Sequence, residues 1–171
     1  GMEESTQLHL DSIALALEYC AEGDAVALGE VGRPHYPVSD EIWDAANQQL
    51  ETVMHMASQA DFPIQLHVEE NGSQTNAELA EICDRSGLIR ERAVHHYAPA
   101  NVSEPFTHGL SSSVSMGKES ISALLDSYPH CSSTWTMETD YLDDSRRPGA
   151  VLGPKTVPKR TQALTTALLE T

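Results

Sequence analysis

The sequence AVALGEVG, at residues 25–32, is a short apolar run that ends around the carboxylate of Glu30. A run of this kind is typical of a strand that is buried on both faces of a parallel sheet. A helical pattern at residues 6–22 precedes it, and Ser39 is placed to cap a long helix that follows. Helix, strand and helix in this order indicate an α/β architecture built from βαβ units.

The same alternation continues along the remaining chain. Further helices are predicted at residues 74–86, 118–127 and 156–170. Four further strands are predicted at PIQLHV (63–68), RAVHHY (92–97), GLSSSVSM (109–116) and SSTWTMETD (132–140). Five strands without hairpin signals predict one parallel sheet, and no linker divides the chain, so we expect a single domain over residues 2–171.

The charge balance is strongly acidic. The net charge is −16, and only three of the ten basic residues are lysines. Such a surface repels itself at low ionic strength and is expected to suit a salt-rich, halophilic cytoplasm, where screening is strong. An ordinary acidic protein is the alternative. The charge argues against a broad nucleic-acid interface, although a small local cationic site stays compatible with it.

The cysteines and the hydropathy of the chain indicate the cellular compartment of the protein. The three cysteines lie far apart, form no CxxC pair and suit a reducing cytoplasm as small buried residues. No apolar run approaches the roughly 20 residues of a membrane span. We therefore expect a cytoplasmic protein that does not contact a membrane.

Metal-binding side chains stand at the ends of four predicted strands. They are Glu30, His67, one of the adjacent pair His95 and His96, and Asp140. The carboxyl ends of parallel strands meet at one side of a sheet, so these groups are expected on a single rim. Mixed nitrogen and oxygen ligands suit Zn²⁺ or Mn²⁺. Each residue taken singly could instead be structural, and their conjunction favours a metal site.

Several of these motifs together resemble a known family. GEVG after one strand, QLH at the end of the next, a strand-end histidine and METD are similar to the TatD-related metal-dependent hydrolases of the amidohydrolase superfamily. The strings GEVGRPHYPV (29–38) and METDYLDDSRRPGAVLGPKTVPKRT (137–161) particularly resemble the archaeal branch. The resemblance runs from about residue 10 to residue 171. It implies a distorted (β/α)8 TIM-like barrel that binds one or two Zn, Mn or Mg ions and activates water for hydrolysis. Better-known relatives are deoxyribonucleases.

The resemblance also implies roles for individual residues. Glu30, His67, His96 and Asp140 match metal ligands, and Glu30 and Asp140 are also expected to be catalytic, with Asp140 accepting a proton. His96 is preferred over His95 because it stands directly before an aromatic residue. Strand alternation allows only one of the two histidines to face the rim, so the choice between them is testable.

The chain departs from the family pattern in two places. The family opens with a strand that carries His-x-His, and this sequence has no such motif, so it resembles the C-terminal five-eighths of a barrel. A weakened hydrolase is therefore expected, and a non-catalytic remnant or subunit that needs a partner segment is the alternative. Open sheet edges would then favour self-association. Glu69 stands where the family often has a basic residue, and this departure argues against a phosphodiester substrate.

Basic and loop residues near the predicted ligands are candidate substrate contacts. Arg33 and His35 follow Glu30, where a loop hydrogen bond is the alternative role. Arg146, Arg147 and Lys155 follow the last strand and could bind an anion such as a phosphodiester at a DNA end. The alternative is that the two arginines pair with the carboxylates of Asp143 and Asp144. Glu138 should share the side of its strand with Asp140 and lie deeper.

Overall fold

The computed structural model of the chain describes residues 2–142, 146 and 151–170. Strands and helices alternate along these residues, and short 3₁₀ turns precede β3 and follow α5. The elements are α1 (Met2–Glu22), β1 (Leu28–Gly32), α2 (Asp40–Ala60), β2 (Ile64–His67), α3 (Ser73–Ser86), β3 (Ala93–Ala98), α4 (Glu104–Thr107), β4 (Ser111–Ser115), α5 (Ser120–Ser127), β5 (Trp135–Glu138) and α6 (Thr156–Glu170).

All five strands belong to one parallel sheet. Their order is β1-β2-β3-β4-β5, and each neighbouring pair is parallel. The predicted α/β class is confirmed, and the arrangement is consistent with part of a TIM-like barrel. Because the strands run in one direction, their carboxyl ends form one edge of the sheet, which we call the rim. None of the helices in the described parts of the chain is long and apolar enough to cross a membrane.

The first strand differs from its prediction. It begins at Leu28 rather than at residue 25, and Leu28 is buried whereas Gly29, Glu30 and Gly32 are exposed. The expectation that this run is buried on both faces is therefore wrong. The physical reason is position, because β1 is an edge strand with β2 on one side and contacts to α1 and α2.

The core consists of two apolar clusters. The larger one joins α2, β2 and α3 through residues that are fully buried, namely Val53, Met54, Ala57, Ile64, Leu66, Leu79 and Cys83. The smaller one joins β4, α5 and α6 through Val114, Leu124 and Leu164. Helix α2 starts where predicted, since the Ser39 hydroxyl accepts a hydrogen bond from the amide of Ile42 at 3.4 Å. These clusters fix the strands whose ends form the rim.

A glycine lets the ends of β1 and β2 approach each other closely. Gly32 pairs with His67 in the parallel register. A Cβ added at Gly32 would lie 1.6 Å from the carbonyl oxygen of His67, so no other residue fits without moving the strands. This close approach keeps the end of β1, including Glu30, beside His67.

Two strands carry irregularities where they reach the rim. The β1–β2 register shifts between Leu28 and Val31, and the β3–β4 register shifts between His95 and Ala98. Tyr97 and Asp140 adopt positive φ angles of 55° and 48°, which are uncommon for residues other than glycine. Bulges of this kind re-aim side chains, and they are frequent beside functional sites.

Candidate metal centre

Three residues from three neighbouring strands form a compact cluster at the rim. Glu30 from β1, His67 from β2 and His96 from β3 each offer one ligand atom, and these atoms all lie within 4.8 Å of one another. The His67 and Glu30 side chains are 44% and 41% exposed, whereas the His96 side chain is 4% exposed. The cluster is therefore anchored on its buried side and open to solvent on the other.

The carboxylate of Glu30 lies between the two imidazoles. Its Oε1 is 3.2 Å from Nε2 of His96, and its Oε2 is 3.1 Å from Nδ1 of His67. Ligand atoms about 2.1 Å from a common tetrahedral ion lie about 3.4 Å apart, by the geometry of typical zinc sites. The two contacts of Glu30 are close to that spacing, and the three ligand atoms all lie within 4.8 Å of one another, so small shifts of these donors would let them hold a divalent cation such as zinc or manganese.

Glu138 fixes the orientation of the His96 ring. One oxygen of Glu138 lies 2.8 Å from Nδ1 of His96, and its other oxygen accepts a hydrogen bond from the amide of Tyr97. The side-chain nitrogen of Gln65 lies 3.2 Å from the same Nδ1. An ionised carboxylate can only accept, so the shorter contact places the proton on Nδ1. Nε2 then presents its lone pair to the rim, as in metal sites that use a carboxylate–histidine pair.

Several acceptor atoms meet at Nε2 of His96 in this tautomer. Oε1 of Glu30 lies 3.2 Å away, and Oδ1 of Asp140 lies 3.5 Å away. Lone pairs and carboxylate oxygens repel one another at such distances unless a cation or a second proton lies between them. A divalent ion bound by these atoms would relieve the repulsion, as would a proton on Nε2.

Asp140 contacts the cluster from beyond the end of β5. Its side chain is 32% exposed and lies beside His96, but it is not among the three residues whose ligand atoms mutually converge. Asp140 also lines a cavity of about 400 Å³ together with His67 and His96. The structure thus brings all four predicted ligands to the rim, with Asp140 at its periphery.

His95 lies apart from the cluster and has its own partners. Its Nδ1 is 2.8 Å from Oδ1 of Asn76, and its Nε2 is 4.0 Å from a carboxylate oxygen of Glu70. Burial lowers the pKa of His95 to about 4, so its imidazole is neutral at neutral pH. Of the two adjacent histidines, His96 is therefore the one that meets Glu30 and His67.

Arg33 is engaged in a buried network. Its side chain is 1% exposed and donates to both oxygens of Glu69, to Oε2 of Glu78 and to Oδ1 of Asn47. Its guanidinium also lies 4.5 Å from the ring centroid of Trp43. These contacts hold the loop after β1 against α2 and α3. Contact of Arg33 with substrate stays a prediction.

The other predicted substrate contacts are placed as follows. His35 is exposed, and its ring lies 4.8 Å from that of His67, beside the cluster. Lys155 is exposed and directly precedes α6. Arg146 has interactions within the protein. Arg147, Asp143 and Asp144 lie outside the described residues, so the predicted arginine–aspartate pairs stay predictions.

Glu138 is the functional residue to which sequence reasoning gave no role. The alternation of β5 placed it on the same side as Asp140 but deeper, and this position is a usable signal. Its partner, however, is on β3, with β4 between the two strands. Nothing local in the sequence identifies that partner.

The chain is similar in sequence to other known proteins. The family model described as TatD related DNase matches residues 3–170. An uncharacterised protein of the archaeon Methanocaldococcus jannaschii is 36% identical over 165 residues, which cover 96% of this chain and 57% of that protein. The chain thus spans little more than half the length of this relative. No solved structure matches the chain.

Proposed function

The chain belongs to the family of TatD-related DNases, and from this membership and the rim cluster we propose that it is a metal-dependent phosphodiesterase. The observation that carries the proposal is the convergence of ligand atoms from Glu30, His67 and His96 within 4.8 Å of one another. The carboxylate of Asp140 lies beside this cluster, 3.5 Å from Nε2 of His96. The sequence-based resemblance to the family is confirmed by the match, and a metal-dependent hydrolase is the activity that the family suggests.

The position of each residue indicates the role that we propose for it. Glu30, His67 and His96 would hold a Zn, Mn or Mg ion, with Asp140 as a further ligand or as the base. The ion, when bound, polarises a water molecule and lowers its pKa. Asp140 is partly exposed and beside the cluster, so its carboxylate can accept a proton from a water at the rim. Glu138 keeps the lone pair of His96 directed at the same place.

The proposed substrate is a phosphodiester at a nucleic-acid end, in the cytoplasm. The family description supports a nucleic-acid substrate. The net charge of −16 opposes the approach of a long polyanion, which favours a short or terminal segment. Lys155, Arg146 and Arg147 follow the last strand and are proposed to contact the anion.

Metal titration and hydrolysis test this proposal together. Zn²⁺ and Mn²⁺ are titrated calorimetrically, and hydrolysis of bis(4-nitrophenyl) phosphate is followed with and without each ion. We expect metal-dependent turnover that falls at least about a hundredfold in Asp140→Asn, the lower range for loss of a general base. Asp126→Asn, an exposed carboxylate on α5, is the matched control and should retain turnover.

Two results would contradict the proposal, and each rejects a different part of it. Metal binding without turnover would reject the hydrolase proposal and favour a non-catalytic metal-binding subunit. Turnover that survives chelation and the Asp140→Asn change would reject the cluster as the reaction site.

A further inference from the structure

A row of five aromatic rings crosses the rim through the metal cluster. In spatial order the rings are Tyr36, His35, His67, His96 and Tyr97. Successive ring centroids are 5.4, 4.8, 5.8 and 6.3 Å apart. The proposed metal ligands occupy the middle of this ring row, and a tyrosine stands at each end.

Both terminal tyrosines are open to solvent. Tyr36 is 62% exposed and Tyr97 is 50% exposed, although tyrosine has a large, partly apolar side chain. Tyr97 also has a φ angle of 55°, and Glu138 accepts a hydrogen bond from its amide. A bulky residue in that conformation is costly and is found chiefly at functional sites. The backbone of Tyr97 is thus held at the rim by the residue that also contacts His96, and the ring of Tyr97 lies beside that of His96.

Two cavities adjoin the ring row. One, of about 460 Å³, is lined by Tyr36 and His35 together with Trp43, Pro34 and Pro37. The other, of about 400 Å³, is the cavity beside Asp140, and it is lined by Tyr97 and by the three histidines of the row. His35 lines both cavities, so they are neighbours, and each contains one of the two tyrosines.

The charges of the two cavities restrict what they can bind. Among the described lining residues there is no lysine and no arginine, whereas Asp40, Glu69, Glu70 and Asp140 contribute carboxylates. Away from the metal ligands, these carboxylates favour an uncharged group over a further phosphate. A flat uncharged ring that carries amino groups would stack on tyrosine and donate to carboxylates.

We propose that Tyr36 and Tyr97 are stacking platforms for the two nucleobases on either side of a phosphodiester held at the cluster. This inference rests on the proposed function and names the way in which its substrate is recognised. Base stacking on aromatic side chains tolerates any base sequence and requires unpaired bases.

The test compares a base-containing ligand with a base-free one. The probes are a deoxyadenosine dinucleotide and its analogue with two abasic sugars, titrated calorimetrically with Mn²⁺ in an Asp140→Asn background that prevents hydrolysis. We expect the dinucleotide to bind at least about 25-fold more tightly than the abasic analogue, the lower range for two stacked bases. Tyr36→Ala and Tyr97→Ala should each weaken dinucleotide binding at least about fivefold and leave the abasic analogue unchanged.

Aromatic replacements separate stacking from a structural role. Tyr36→Phe and Tyr97→Phe keep the ring and should bind the dinucleotide as the background protein does. Equal affinity for the two probes, no measurable binding of either probe, or phenylalanine variants as weak as the alanine variants would each overturn the proposal.

The proposed function is judged by a different measurement. Hydrolysis of bis(4-nitrophenyl) phosphate by the unsubstituted chain reports on the metal chemistry without a nucleobase. Base-dependent binding with no such hydrolysis would therefore reject the proposed function alone, and hydrolysis with base-independent binding would reject the stacking platforms alone.

Discussion

Glu138 on β5 reaches across β4 and accepts the Nδ1 proton of His96 on β3 at 2.8 Å. Both side chains are largely buried, at 14% and 4% exposure. The pair is therefore a fixed element of the site, and it determines which nitrogen of His96 faces the rim.

Replacement of Glu138 by glutamine should weaken metal binding. Loss of the carboxylate removes the charge-assisted hydrogen bond that fixes the tautomer and raises ligand basicity, so Zn²⁺ affinity should fall about 10- to 100-fold. Calorimetric titration measures the change. Glu81→Gln alters an exposed carboxylate on α3 and should leave the affinity within about twofold. An unchanged affinity in Glu138→Gln would mean that His96 does not bind the ion through Nε2.

Replacement of Arg33 by methionine should destabilise the fold. The guanidinium is the shared partner of Glu69 and Glu78, which are 22% and 39% exposed and can be partly hydrated, so its removal should cost about 1–3 kcal/mol. Urea denaturation measures the free energy of unfolding. The control is Arg85→Met, whose exposed pair with Glu51 should contribute about 1 kcal/mol or less. Comparable losses in the two variants would contradict the structural role of Arg33.

Cys83 should be unreactive in the native protein. It is fully buried, and burial raises the pKa of its thiol to about 12, so about one molecule in ten thousand carries the thiolate at pH 8. Labelling with a chromogenic disulfide reagent should modify partly exposed Cys131 first, and modify Cys83 after denaturation. A double variant with Cys20→Ser and Cys131→Ser isolates the Cys83 thiol, and rapid labelling of that variant would contradict the prediction.

Salt should stabilise the fold. The net charge of −16 generates repulsion that screening relieves, because the Debye length falls from about 10 Å at 0.1 M to about 3 Å at 1 M salt. The urea midpoint should therefore rise as KCl is added over this range. Sucrose at matched osmolality controls for solvent effects unrelated to charge. A midpoint that stays constant or falls with KCl would show that surface repulsion does not limit stability.

The succession of strands and helices along the chain and the parallel direction of the strands were predictable from sequence patterns. Apolar runs alternate with helical periodicity, and parallel strands bring Glu30, His67 and Asp140 to one rim because their carboxyl ends share an edge. The start of α2 at Asp40 after the capping Ser39 is likewise a local property. The four-residue helix α4 was not predicted, because it is too short to show a helical period.

The sequence by itself thus determined the alternation of strands and helices, the ligand types at the strand ends and the acidic surface. Tertiary structure decided the rest. The placement of β3 beside β2 brings His96 rather than His95 to Glu30, and a contact across β4 joins Glu138 to His96. Arg33 faces Glu69 because helices and loops distant in sequence close around it. These outcomes depend on long-range packing and backbone irregularities, whereas periodicity reports only the local preference of the chain.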